Sequence, residues 1–225
     1  LVFPKGRYDL FPQTDPKALG AKGDLFSFSH IDGLTVEGNG STMLFHGISG
    51  LMGFGACKNV TVSNLVVYME TAPYSQGVVD AVEGNHFDVK VDEAFPVTGG
   101  EAVGAFMDYD RKTGRYLHHG LDEYYTAEST ELLGPQLLRV KLNHEARIKP
   151  GAGVLLRHQV YGNNAFSFYK CTDVKVQNVT VYCIPGMAVT GTHCTGIDID
   201  RLEVIPRRGS GRMMSATADA VHFGD

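Results

Sequence analysis

The sequence predicts an all-β chain, a right-handed parallel β-helix with a small antiparallel β-barrel inserted in one coil. Three observations predict it. A motif of alternating apolar residues recurs with its cysteines 23 positions apart; one interval between copies is 114 instead; and that long interval carries hairpin signals of its own.

The motif is clearest at Phe54-Gly55-Ala56-Cys57-Lys58-Asn59-Val60-Thr61-Val62-Ser63-Asn64-Leu65-Val66-Val67. It returns from Phe168 through Cys171, Val174, Val176, Asn178, Val179 and Val181, and again through Cys194, Ile197, Ile199, Leu202 and Val204. A fainter copy runs Ile31-Asp32-Gly33-Leu34-Thr35-Val36. Alternation at period two places Val60 and Val62 on one face and Thr61 on the other. One such unit cannot bury its apolar face, whereas stacked units form a continuous core. Cys57, Cys171 and Cys194 then stack inward as small apolar residues, and Cys183 lies off their column. Asn59 and Asn178 match the glycosylation triplet but read better as turn residues of the coil.

Neighbouring coils should stand 23 apart, so roughly 90 residues interrupt one turn. Residues 77–92 form a predicted hairpin around Gly84-Asn85, and residues 106–116 a second. Gln136 to Leu142 and Gly153 to Val160 alternate as well, with Pro150-Gly151 between them. The expected division is 1–75 for the first coils, 76–160 for the inserted barrel and 161–225 for the continuing, C-terminally truncated helix. Asp108-x-Asp110 with Gly114 lacks the distal Glu of an EF-hand and reads as a hairpin turn. His118-His119 reads as a solvated pair. No metal or other cofactor is expected.

Lysine and arginine total 20 against 25 acidic residues, a net charge of −5, with no block of either sign. This argues against nucleic acid and anionic membrane surfaces as partners. No apolar run approaches the roughly 20 residues of a membrane span. Twenty-seven glycines and no tryptophan suit short strands with tight turns. The chain opens on Leu1 and reads at once as strand and turn through Tyr8, so a fragment or processed form is expected.

Continuing the coil phase places Asn164, Met187 and Asp219 in one column, and Ser167, Thr190 and His222 in a second. Between Ile205 and Asp219 the chain makes a long Gly- and Arg-rich excursion containing Arg207, Arg208 and Arg212. A loop on a rigid scaffold is where binding groups are expected. His158, Tyr161, Asn164 and His193 fall at coil edges or where the insert joins the coils, and are candidate binding residues. Asp198 and Asp200 alternate with Ile197 and Ile199, so they face solvent.

Ser215-Ala216-Thr217-Ala218-Asp219-Ala220-Val221-His222-Phe223 is similar to the Asn-Thr-Asp-Gly strand of the glycoside hydrolase family 28 polygalacturonases. The chain resembles more closely glycoside hydrolase family 110, the inverting α-1,3-galactosidases. The likeness includes Leu1 to Tyr8, the stretch 67–74 and the stretch 157–164. That resemblance implies a parallel β-helix with an inserted barrel, and a partner glycan ending in α-galactose. Asp219 would belong to the catalytic carboxylates, with His222 lining the sugar pocket and Arg212, His193, Asn164, His158 and Tyr161 as further substrate contacts. It also implies an Asp-Asp pair one coil beyond Asp219, past the end of this chain, and a secreted or periplasmic enzyme; a homodimer is compatible with it. Two rival readings stand beside it. One is uronide cleavage by a polygalacturonase or a polysaccharide lyase, which would use the arginines. The other is a non-catalytic glycan-binding solenoid, which would want aromatic rings along an outward face.

Overall fold

The computed structural model describes residues 1–12 and 23–225. Among them there is no helix; the strands, in chain order, are β1 (Arg7–Leu10), β2 (Asp24–Ser29), β3 (Thr35–Phe45), β4 (Gly50–Gly55) and β5 (Lys58–Met69). Eight more follow: β6 (Tyr74–Glu83), β7 (His86–Val91), β8 (Ala105–Asp110), β9 (Arg115–Tyr116), β10 (Asp122–Tyr124), β11 (Ala127–Gly134), β12 (Leu137–Leu142) and β13 (Gly153–Arg157). The last five are β14 (Phe166–Tyr169), β15 (Thr172–Val181), β16 (Val189–Thr192), β17 (Thr195–Val204) and β18 (Val221–Gly224). The described residues fall into two compact units, one of residues 1–12, 23–71 and 161–225, the other Ala72–Val160.

The first unit is built from two parallel sheets, ordered β1-β3-β5-β15-β17 and β2-β4-β14-β16-β18. From β2 onward the chain alternates between them, so each strand pairs with its counterpart one repeat away. Register stacks Val60, Val174 and Ile197, then Val62, Val176 and Ile199, then Leu65, Val179 and Leu202. Val60, Val62, Val174 and Val176 have no exposed surface, and each such burial contributes roughly 1.5–3 kcal/mol. In the second sheet Phe28 stacks on Phe54 at 5.2 Å and Phe54 on Phe168 at 4.8 Å. The next position is Gly191, and the Phe223 ring fills the space a side chain there would take.

Corners between the sheets repeat too. Three columns hold residues with left-handed backbone: His30, Ala56, Lys170 and His193; Gly33, Asn59, Asp173 and Gly196; and Asn64, Asn178 and Arg201. The asparagines of both glycosylation-like triplets therefore sit at corners. By hydrogen-bond pattern the two alternating segments of each long repeat form one strand, bent at Asn64 or Asn178. The first strand begins at Arg7, later than the sequence suggests, and Val2 makes only an isolated bridge to Glu37. Cys57 and Cys171 are buried, Cys194 is half-buried, and the Cys171 N–H lies 3.4 Å from the Cys194 Sγ. All four cysteines are free thiols.

The second unit is an antiparallel sheet ordered β10-β8-β13-β6-β7-β12-β11, with β9 pairing β8. The β6–β7 hairpin turns at Gly84, and β8–β9 turns over 111–114. In that turn Asp110 accepts from the Lys112 N–H, which is hairpin geometry. β12 alternates as expected, whereas β13 is buried at every position; the two are not neighbours, since β6 and β7 lie between them. Phe87 and Phe106 meet at 5.1 Å in the core. Arg139 forks onto Asp88 at 2.7 and 2.9 Å.

Candidate functional site

The register of the second parallel sheet builds the site. It aligns Ser27, Gly53, Ser167, Thr190 and His222 in one column on the outer face. Two residues before each strand's first core position lies a second column: Asp24, Gly50, Asn164, Met187 and Asp219. The coil phase read from the sequence therefore holds through the 206–216 excursion.

That excursion returns to register through buried contacts. Ala216 bridges to Ile184, and the Thr217 Oγ1, on a residue 1% exposed, accepts from the Gly186 N–H at 2.8 Å. The Ala218 N–H donates to the Gly186 carbonyl at 3.1 Å. Asp219 is thereby delivered to the head of β18 with its backbone held and its side chain free to face outward.

The Asp219 Oδ2 lies 2.9 Å from the His222 Nδ1, and the two side chains are 60% and 55% exposed. Residues three apart in an unbroken strand point to opposite faces. This pair meets because β18 starts only at Val221 and the chain bends at Ala220. The result is an exposed carboxylate oriented by an imidazole, able to take a proton from water or to accept a hydroxyl.

Asn164 lies in the Asp219 column. Its Oδ1 accepts from the Met187 N–H at 2.8 Å, and its Nδ2 donates to the Ser167 Oγ at 3.2 Å. An open groove of about 450 Å³ runs along this face, lined among others by Asp24, Ser27, Asn164, Ser167, Tyr169 and Thr190. His193 is the corner residue just after β16, its N–H 3.1 Å from the Gly224 carbonyl and its ring edge-on to Tyr169.

Arg212 is directed elsewhere. Its guanidinium donates to the Met69 and Glu70 carbonyls at 2.8 and 2.5 Å and lies over the Tyr68 ring, which Arg207 also covers. It acts as a staple that holds the excursion to the end of β5. Tyr161 is half exposed in the link from β13 to β14. His158 belongs to the second unit, where its Nε2 lies 2.8 Å from the Ser75 Oγ and its Nδ1 2.8 Å from the Ala102 carbonyl. Burial pushes its pKa down.

Two clusters escaped the sequence reading. Asp24 lies in the same column as Asp219, and the signal was present: Asp24-x-Phe26-x-Phe28 repeats the spacing of Asp219-x-Val221-x-Phe223. His46 is held between Asp9 and Glu70, 2.6 Å from each, under the stacked ring of Phe11. No spacing announces this cluster, because its members come from three different coils. Among the described residues no group of three or more His, Cys, Asp or Glu side chains is arranged to hold a metal ion.

No protein-family model matches the chain. Along 99% of its length it is 26% identical to "Alpha-1,3-galactosidase B" of Bacteroides thetaiotaomicron, 23% to "Alpha-1,3-galactosidase A" of Bacteroides fragilis and 27% to "Alpha-1,3-galactosidase B" of Phocaeicola vulgatus. Each alignment covers 41% of the relative. The chain thus spans about two fifths of the length of these curated proteins, and its similarity to them extends from end to end.

Proposed function

We propose that the protein is an exo-acting glycoside hydrolase, an inverting α-1,3-galactosidase of glycoside hydrolase family 110 that releases terminal galactose. The observation that carries this reading is the exposed Asp219–His222 pair at the head of β18, where the family resemblance expects a catalytic carboxylate. The alternation between two parallel sheets supports a right-handed parallel β-helix, and the antiparallel strands of the second unit support a barrel inserted in it.

Inverting hydrolysis needs a base to deprotonate water and an acid to protonate the leaving oxygen, their carboxyls roughly 6.5–9.5 Å apart. In this reading Asp219 takes the proton as water attacks the anomeric carbon from the face opposite the leaving group. His222 orients the carboxylate and borders the sugar. On the same resemblance, an Asp-Asp pair one coil further on supplies the acid, and the protein acts in the periplasm or outside the cell.

Uronide cleavage is not favoured. Arg212 is engaged with backbone carbonyls, Arg207 lies over Tyr68, and Asp24 adds negative charge to the groove. The test is incubation of the full-length protein with a neutral oligosaccharide ending in α-1,3-galactose and, separately, with polygalacturonate. The expected result is galactose released first as the β-anomer, with polygalacturonate untouched. First appearance of the α-anomer would reject inversion, and cleavage of polygalacturonate alone would reject the galactosidase.

A further inference from the structure

The groove on the outer face of the second sheet is longer than an exo-acting site needs for one terminal sugar. Its lining starts at β2 and reaches Thr190 and Thr192, which pair with His222 and Gly224 of β18. Asp24 and Asp219 stand in the same column on its first and fifth strands, four rungs apart. At a strand spacing of about 4.8 Å, that is roughly 19 Å, too far for the two carboxylates to act on one bond.

The seating of Asp24 is specific. Its Oδ1 occupies the space where a Gly50 side chain would start, 2.1 Å from that ideal Cβ position, and its Oδ2 lies 2.2 Å from the ideal Cβ position at Gly53. Neither glycine has a left-handed backbone, so the turn geometry does not demand glycine there; the carboxylate does. Burial pushes the Asp24 carboxyl above the usual carboxylate range. Beside it the groove offers the Ser27 and Ser167 hydroxyls and the half-exposed ring of Tyr169, with the Lys170 Nζ 5.1 Å from its centroid. Hydroxyls and a carboxylate next to an exposed aromatic face match the alternating polar and apolar surfaces of a sugar. The volume of about 450 Å³ lies in the range of small-ligand sites.

We propose that this face is an extended binding groove for a neutral oligosaccharide, with Asp24 as its distal anchor and Tyr169 as a stacking platform between Asp24 and the Asp219 end. Asp24 accepts hydrogen bonds from sugar hydroxyls several residues from the cleaved end, and its charge disfavours uronic or sialic acids at that point. The binding claim stands on the groove itself; the direction in which the glycan is processed rests on the glycosidase reading.

The test uses the full-length protein and its Asp24→Asn and Gly53→Ala variants, with folding checked by thermal melts. Two substrates are compared, an aryl α-galactoside and a neutral oligosaccharide ending in α-1,3-galactose. Calorimetric binding of the same oligosaccharide without its terminal galactose completes the set. Both variants are expected to raise KM for the long substrate and to weaken binding about tenfold, the loss of one or two hydrogen bonds to a charged group, while leaving kcat and KM for the aryl galactoside unchanged. Equal loss on both substrates, or unchanged binding of the long glycan, overturns the proposal and leaves the glycosidase reading intact. Binding that depends on Asp24 in a protein that hydrolyses no galactoside rejects the glycosidase and upholds the groove. Absence of both binding and turnover rejects both.

Discussion

The Asn178 side-chain amide donates to the Asn64 Oδ1 at 2.5 Å, although the two residues stand 114 positions apart in the chain. Asn64 in turn donates to both carboxylate oxygens of Glu37 at 2.9 Å, so a ladder of polar side chains climbs one corner across three coils. Both asparagines have left-handed backbone, which short polar side chains tolerate best among non-glycine residues. Asn64→Ala removes the middle rung and leaves a strained backbone, and is expected to cost about 2 kcal/mol in denaturant unfolding. A loss below the resolution of the melt would show that the ladder is incidental.

The same corner continues to Arg201, also left-handed, where among the described residues the ladder gives way to an exposed ion pair with Asp200. Such a pair contributes little. Arg201→Asn is therefore expected to stabilise the chain by roughly 0.5 kcal/mol by easing the backbone. In the neighbouring column Ala56 holds φ 50. Ala56→Gly should gain about 0.5–1 kcal/mol, the left-handed penalty less the extra freedom glycine loses on folding. Destabilisation by both changes would refute the account of these corners.

His46 predicts a pH dependence. Hydrogen bonds to Asp9 and then Glu70 raise its pKa, while the Arg7 and His46 hydrogen bonds lower that of Asp9. A raised histidine contributes stability in full below its unfolded value of about 6.5 and loses it as pH rises through the folded value. A depressed aspartate contributes above its unfolded value of about 3.9 and loses it as pH falls through the lowered one. The Tm difference between the protein and His46→Gln should therefore be largest between the two unfolded values, about 3.9 and 6.5, and shrink as pH rises beyond 6.5 through the raised histidine value. A difference that stays constant with pH would assign His46 a packing role only.

The repeated coil was legible because burial forces period two on residues such as Val60, Val62, Val174 and Val176, and the cysteine column marks the phase. The corner columns were legible only where asparagine marks them, at Asn59 and Asn178; elsewhere a left-handed backbone accepts His, Ala, Lys, Asp and Arg in turn, leaving no residue pattern to read. Pairing within the insert escaped for a different reason. Local pattern identifies β12 and β13 as strands but cannot say that the β6–β7 hairpin lies between them. At the candidate site, the place of Asp219 in the outer column was readable from the coil phase. Arg212 was not, because a Gly-rich loop has no period to tell where a long side chain points, and here it points to the Met69 and Glu70 carbonyls.

The thiols give a direct check of the coil interior. Cys57, Cys171 and Cys183 are 0–1% exposed, while Cys194 is half-buried. Burial pushes Cys171 up, and pushes Cys183 up to about 12. Since the thiolate is the reactive form, alkylation at neutral pH should modify Cys194 first and the other three only as the protein unfolds. Rapid modification of Cys183 in the folded protein would contradict its burial.

Asp219 and His222 make the sharpest prediction. Both side chains are more than half exposed, so substituting them should move stability by no more than about 0.5 kcal/mol. On the proposed glycosidase reading, Asp219→Asn preserves shape and removes the base, and is expected to lower kcat of the full-length protein on α-1,3-galactosides by roughly 10²–10⁴-fold. His222→Ala leaves the carboxylate in place but unoriented, and should lower kcat about tenfold, with His222→Gln recovering part of the loss. A structural role would give the opposite pattern: lower melting temperatures, with turnover per folded molecule preserved. Wild-type turnover by a folded Asp219→Asn would remove Asp219 from the reaction altogether.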